Sequence, residues 1–177
     1  MNKEQFTKWL ESNNACSDAV IWIGKRSLKQ AWDECERADW MLWYMCRAEL
    51  ATKRERIHIV CDCAATALKY VPKGEDRPRE AIEAARRYAD EPTEENLRLL
   101  NAAGAAAGAA VWVAWATRAA AGAAVWAAAG AAVWAAEFAW GAAAEAAGGA
   151  AGAAAGIAAW VVAHKQMCEM IREKIKL

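Results

Sequence analysis

The chain has 177 residues, with 22 Lys and Arg against 22 Asp and Glu, for a formal net charge of zero. A neutral balance without a basic run excludes a nucleic-acid footprint, and the lack of a long acidic run excludes an acidic disordered tail. The opening residues Met1 to Lys8 hold no apolar signal segment, so the sequence points to a cytoplasmic protein of one domain, or two small layers sharing a core.

Taken in order, the first hundred residues predict a series of short amphipathic helices. Phe6, Trp9 and Leu10 stand at i, i+3 and i+4 on an opening helix. A second carries Val20, Ile21, Trp22 and Ile23, with Gly24 placed to end it. Ser27 and Gln30 have capping-box spacing at the start of a third, which runs through Trp32 and Cys35. Asp39 is expected to cap a fourth, rich in Trp40, Leu42, Trp43 and Met45. Ile57, Val60, Cys61, Ala64, Ala67, Leu68 and Val71 repeat at helical spacing, and Pro72-Lys73-Gly74 stops that run. Pro78 suits the first turn of the next helix, with Asp76 as its cap and Ile82, Ala85 and Tyr88 on its inner face. Thr93 caps the helix that begins at Glu94. No run alternates with period two for long, so no sheet is predicted.

Residues 101–163 are almost entirely Ala, Gly and Trp, and only Arg118, Glu137 and Glu145 are charged. Gly-Ala-Ala-Val-Trp recurs at 108–112, 122–126 and 130–134. A single helix from 94 to 174 would be about 120 Å long, too long for a domain of this size, so it must fold back. Gly148-Gly149 and the stretch 117–122 are the expected breaks. A final helix holds Trp160, Val161, Val162, Met167 and Ile171. The charge-free runs 119–136 and 146–163 approach a membrane span in length, but they lack the Leu, Ile, Val and Phe that drive insertion. The predicted fold class is therefore an all-α helical bundle. Residues 1–100 form an amphipathic multi-helix region; residues 101–177 form an Ala/Gly/Trp-rich hairpin and a last helix on the same core.

On a helical projection Trp112, Trp115, Trp126, Trp134 and Trp140 share one face with most of the glycines. One reading packs each Trp into the hollow left by a Gly on the facing helix. The other leaves ring faces lining a slot for a flat ligand, with Arg118 beside them to meet an anion. The GxxxG spacings at Gly104/Gly108 and Gly148/Gly152/Gly156 permit close helix approach within one chain or between copies, so a homo-oligomer is compatible with the sequence.

The catalytic inventory is thin. Cysteines 16, 35, 46, 61, 63 and 168 follow no metal-binding or disulfide spacing and read as reduced and buried. His58 and His164 read as structural, and Cys168, one turn beyond His164, lacks an orienting third group. Asp33, Glu34, Glu36 and Asp39, interleaved with Arg37, read as a solvated helix end. No nucleophile elbow, phosphate-binding glycine loop or zinc-protease motif occurs. No catalytic, metal or cofactor site is predicted.

Tyr70-Val71-Pro72-Lys73-Gly74-Glu75-Asp76-Arg77-Pro78, leading into Arg79-Glu80-Ala81-Ile82-Glu83-Ala84-Ala85-Arg86, resembles the central motif of the phage and bacterial immunity proteins of the "immunity protein five" type. Ala15-Cys16-Ser17-Asp18-Ala19 and Trp40-Met41-Leu42-Trp43 look similar to the same family. Its tightest element, Asp76, Arg77 and Pro78, is a helix start, specific to a scaffold rather than to a chemistry. The resemblance implies an all-helical, non-enzymatic inhibitor that binds a toxin or a defence component. The residues themselves leave a second expectation open: a small-molecule sponge that holds a nucleotide-like signal in a Trp- and Arg-lined pocket.

Overall fold

The computed structural model describes residues 1–66, 68, 73–116 and 157–177. Among them are eight α-helices and no strand: α1 (Lys3–Ser12), α2 (Ser17–Ile23), α3 (Leu28–Glu34), α4 (Ala38–Arg47), α5 (Lys53–Ala65), α6 (Arg77–Asp90), α7 (Glu94–Ala116) and α8 (Ile157–Lys174). The all-α class read from periodicity holds. The described part of α7 runs to Ala116, and the expected breaks at 117–122 and at Gly148-Gly149 lie outside the described residues.

Local chemistry explains where the short helices begin. Three of them open with a reciprocal capping box, in which a side-chain oxygen accepts an N–H of the first turn and the third residue reaches back. Ser27 and Gln30 do this for α3, as expected, and Asn2 with Gln5 and Thr52 with Glu55 do it for α1 and α5. Thr93 Oγ1 accepts the Asn96 N–H at 3.2 Å to start α7. The Asn96 side chain then donates to the Glu91 carbonyl at 2.8 Å, which ties down the α6–α7 turn. Gly24 ends α2 with φ of +48°, a backbone that a side chain at this position would strain.

Two expected caps take other roles. Asp39 sits inside the first turn of α4, and its carboxylate is held by the Arg37 guanidinium two residues back rather than by backbone N–H groups. Asp76 occupies the cap position of α6 but makes no capping bond, while Pro78 fills the first turn and is buried. Arg77 pairs with Glu75 instead. The α5 helix closes at Ala65, so Leu68 lies beyond it; Ala67 and Val71 are outside the described residues.

The core runs between the two halves of the chain. Leu42 and Met45 of α4, Ile57, Cys61 and Cys63 of α5, and Ile82 of α6 are fully enclosed together with Leu100 of α7 and Met167 and Ile171 of α8. Small residues (Ala64, Ala81, Ala85, Gly104 and Ala107) are buried where α5, α6 and α7 pack. Without bulky side chains at the contact, helix axes approach closely. The α8 helix lies across α4 and α5. No helix among the described residues is long and apolar enough to cross a membrane. All six cysteines are free; five are buried as expected, whereas Cys16, at the entrance of α2, is exposed.

Candidate functional site

The first four helices are short, and their aromatic side chains border a space that none of them fills. The result is a partly enclosed cavity of about 360 Å³. Phe6 and Leu10 of α1, Trp22 and Ile23 of α2, Trp32 of α3, and Trp40, Trp43 and Tyr44 of α4 form its walls. The rings meet edge to face. Phe6 and Tyr44 lie 5.5 Å apart at 82°, and Trp9 braces Tyr44 and Trp43 from behind at 5.1 and 5.9 Å. Trp22 and Trp40 are 5.7 Å apart and tilted by 55°. Such arrangements are favoured by the ring quadrupole and hold the walls in defined orientations. Burial pushes the Tyr44 hydroxyl above its ordinary pKa, so it stays protonated at the cavity wall.

Polar groups are also present. Cys16, Asp18, Arg37 and Asp39 also line the cavity. Arg37 closes on Asp39 as a fork, with Nε to Oδ1 at 2.9 Å and an Nη to Oδ2 at 2.5 Å. That hydrogen bonding is the main cause holding the Arg37 pKa above its usual value. The same guanidinium stacks 4.6 Å from the Trp40 ring centre. Arg26 stacks 4.5 Å from Trp22 and is itself paired with Glu34 at 2.7 Å.

The α3–α4 junction that carries Trp32, Arg37, Asp39 and Trp40 is fastened from behind by α8. His164, fully buried, accepts the Ala38 N–H on Nδ1 at 2.9 Å, which meets one of the orphan donors at the start of α4. Two turns further on, Arg172 donates to the carbonyl oxygens of Trp32, at 2.9 Å, and Cys35, at the end of α3. Lys165 and Glu36 add an exposed ion pair at 2.9 Å. Burial lowers the His164 pKa; the Asp39 carboxylate, 3.8 Å away, pulls it up, and Arg37 pushes it down.

A second, more polar concavity lies between Leu50 and Ile59 and the end of α8, where Arg54 and His58 share Asp90 at 2.7 and 2.9 Å. Those two hydrogen bonds hold the Asp90 carboxyl below its ordinary pKa. His58 is thus hydrogen-bonded to Asp90 near the surface.

The residues that the repeat pattern singled out fall where the structure describes no side chain. Trp112 and Trp115 belong to the last turns of α7, with their side chains outside the described part of the structure, and Arg118, Trp126, Trp134 and Trp140 lie outside the described residues. Asp76, Arg77 and Pro78 build the α6 start, away from the cavity. The residues brought together are Trp22, Trp40 and Trp43 with Asp18, Arg37 and Asp39. The sequence showed the Trp residues of α2 and α4 as helix-forming, but nothing local signals that they converge. Among the described residues, no cluster of three His, Cys, Asp or Glu is placed to hold a metal.

Comparison of the chain with family models, curated proteins and solved structures found no match in any of the three.

Proposed function

We propose that this chain is a non-enzymatic binding protein that captures a small ligand in the aromatic cavity of α1–α4. The observation that carries the reading is the cavity itself: its volume and its largely apolar, aromatic lining with a few polar groups are those of a small-molecule site. The buried thiols fit a passive role. Desolvation pushes Cys46, Cys61 and Cys168 up to about 12, which keeps them protonated and unreactive.

The inhibitor role implied by the resemblance to immunity proteins would place a partner's side chain in the same cavity. The concave site favours the small ligand, because the exposed large apolar residues among those described, Met1, Ile21, Leu99 and Leu177, are far apart in the sequence. Calorimetric titration with a panel of small aromatic and aliphatic compounds tests this. Saturable one-to-one binding that Trp40→Ala and Trp43→Ala weaken, and Leu99→Ala leaves alone, is the expected result. Binding indifferent to both Trp substitutions would overturn it.

A further inference from the structure

We infer that the ligand of this cavity is a free organic cation of the quaternary-ammonium kind, held against Trp22, Trp40 and Trp43 and balanced by Asp18. The inference rests on the reading of the cavity as a small-ligand site and specifies the chemistry it selects.

Three observations lead to it. The first is the charge inventory of the lining among the described residues, two carboxylates (Asp18 and Asp39) against the guanidinium of Arg37. The second is the state of that guanidinium. Arg37 is closed on Asp39 by two hydrogen bonds, so an incoming phosphate or carboxylate meets a guanidinium whose charge is already compensated, while facing Asp18. An anion bound tightly needs several committed donors, and Arg37 is already engaged. The nucleotide-like ligand expected from a Trp and Arg pocket is therefore disfavoured at this location.

The third observation is what the rings already do. Trp22 and Trp40 each carry a guanidinium, at 4.5 and 4.6 Å, and each guanidinium has its own acid, Glu34 for Arg26 and Asp39 for Arg37. These rings thus work as cation acceptors while the arginines on them are charge-compensated. Arg26 is not part of the lining, whereas both rings are. A cation whose charge is spread over methyl groups needs no hydrogen-bond acceptor and is cheap to desolvate, and tilted indole faces are the surface that attracts it. A hydrated ammonium of the lysine type would gain less, because few acceptors line the walls.

The test is calorimetric titration of the full chain with benzyltrimethylammonium, benzyl alcohol and benzenesulfonate, which share a ring and differ in charge. The expected result is that the cation binds about tenfold more tightly than the other two, and that Trp40→Ala weakens it by about the same factor. Asp18→Asn, at an exposed position where the fold is not at stake, should weaken the cation severalfold at low salt and leave benzyl alcohol unchanged. Slower modification of Cys16 by N-ethylmaleimide in the presence of the cation places the ligand in this cavity. Equal binding of cation and alcohol, both lost in Trp40→Ala, would overturn the charge preference and leave the small-ligand reading standing. Tightest binding by the sulfonate would likewise reject the cation. Failure of all three compounds to bind, or binding unaffected by Trp40→Ala, would remove both proposals.

Discussion

The Arg172 guanidinium bonds the carbonyl oxygen of Cys35, 137 residues earlier in the chain, and so closes the C-terminal end of α3 from another helix. Helices commonly end on a glycine or a local turn that satisfies the last carbonyls. Here Cys35 is extended, with φ −66° and ψ 126°, because the next helix begins three residues later and leaves no room for such a turn. The donors come from α8 instead.

Replacing Arg172 should therefore cost more than a surface arginine normally does. Arg172→Met keeps the apolar stem and removes the donors, and it should lower unfolding free energy by about 1.5–3 kcal/mol, the range for hydrogen bonds to charged groups. Arg172→Lys should recover only part, since one ammonium does not reproduce the fork that reaches both Trp32 and Cys35. Urea titration of the three proteins measures this; a loss within about 0.5 kcal/mol for Met would mean that the clamp is idle.

His164 sets a pH dependence of known sign. Its pKa is lowered in the folded protein, so the unfolded chain takes up the proton first. The contribution of neutral His164 is fully present above the ordinary histidine value of about 6.5 and is lost as pH falls from there toward the lower folded value. Protonation also turns Nδ1 into a donor facing the Ala38 N–H. Urea midpoints at pH 7.5 and 5.5, compared with those of His164→Gln, should show a steeper fall in the parent. Equal slopes would assign the pH effect elsewhere.

Thiol accessibility should split the six cysteines sharply. Cys16 is exposed and the other five are buried, with burial raising the pKa of each of the five. A disulfide exchange reagent should modify one thiol per chain in native buffer and all six in denaturant, and Cys16→Ser should abolish the native reaction. Rapid native reaction of a second thiol would contradict the packing.

The helix ends predict smaller losses. Ser27→Ala removes the forward half of the α3 capping box and should destabilise by about 1 kcal/mol. Gly24→Ala forces a side chain onto a backbone with φ of +48°, its Cβ 3.4 Å from the Ile21 carbonyl oxygen, and should cost about as much or more. Thermal melts resolve both; a neutral Gly24→Ala would show that the α2 terminus relaxes freely.

The parts of this fold legible in the sequence are those decided within a few residues. Ser27 with Gln30, Thr93 before Glu94, Gly24, and the Ile57–Val60–Cys61–Ala64 stripe each carry their own local reason, and each appears as read. Asp39 misled because the cap pattern does not say that Arg37, two residues away, will capture the carboxylate first. The aromatic cavity was hidden for a different reason. Its walls come one or two at a time from four short helices, and no periodicity within any of them records that the four border one space. The Trp repeat after residue 101 falls where the structure describes no side chain. Among the described residues, the tryptophans that line the cavity are Trp22, Trp32, Trp40 and Trp43.

The junction that carries half of the cavity depends on partners 126 and 140 residues downstream, His164 for Ala38 and Arg172 for Trp32. Contacts so distant in sequence form late, because a long loop must close before they can contribute. During synthesis the helices that bear the rings leave the ribosome long before the helix that fastens them. The nascent chain thus presents an unlatched aromatic surface until α8 has emerged.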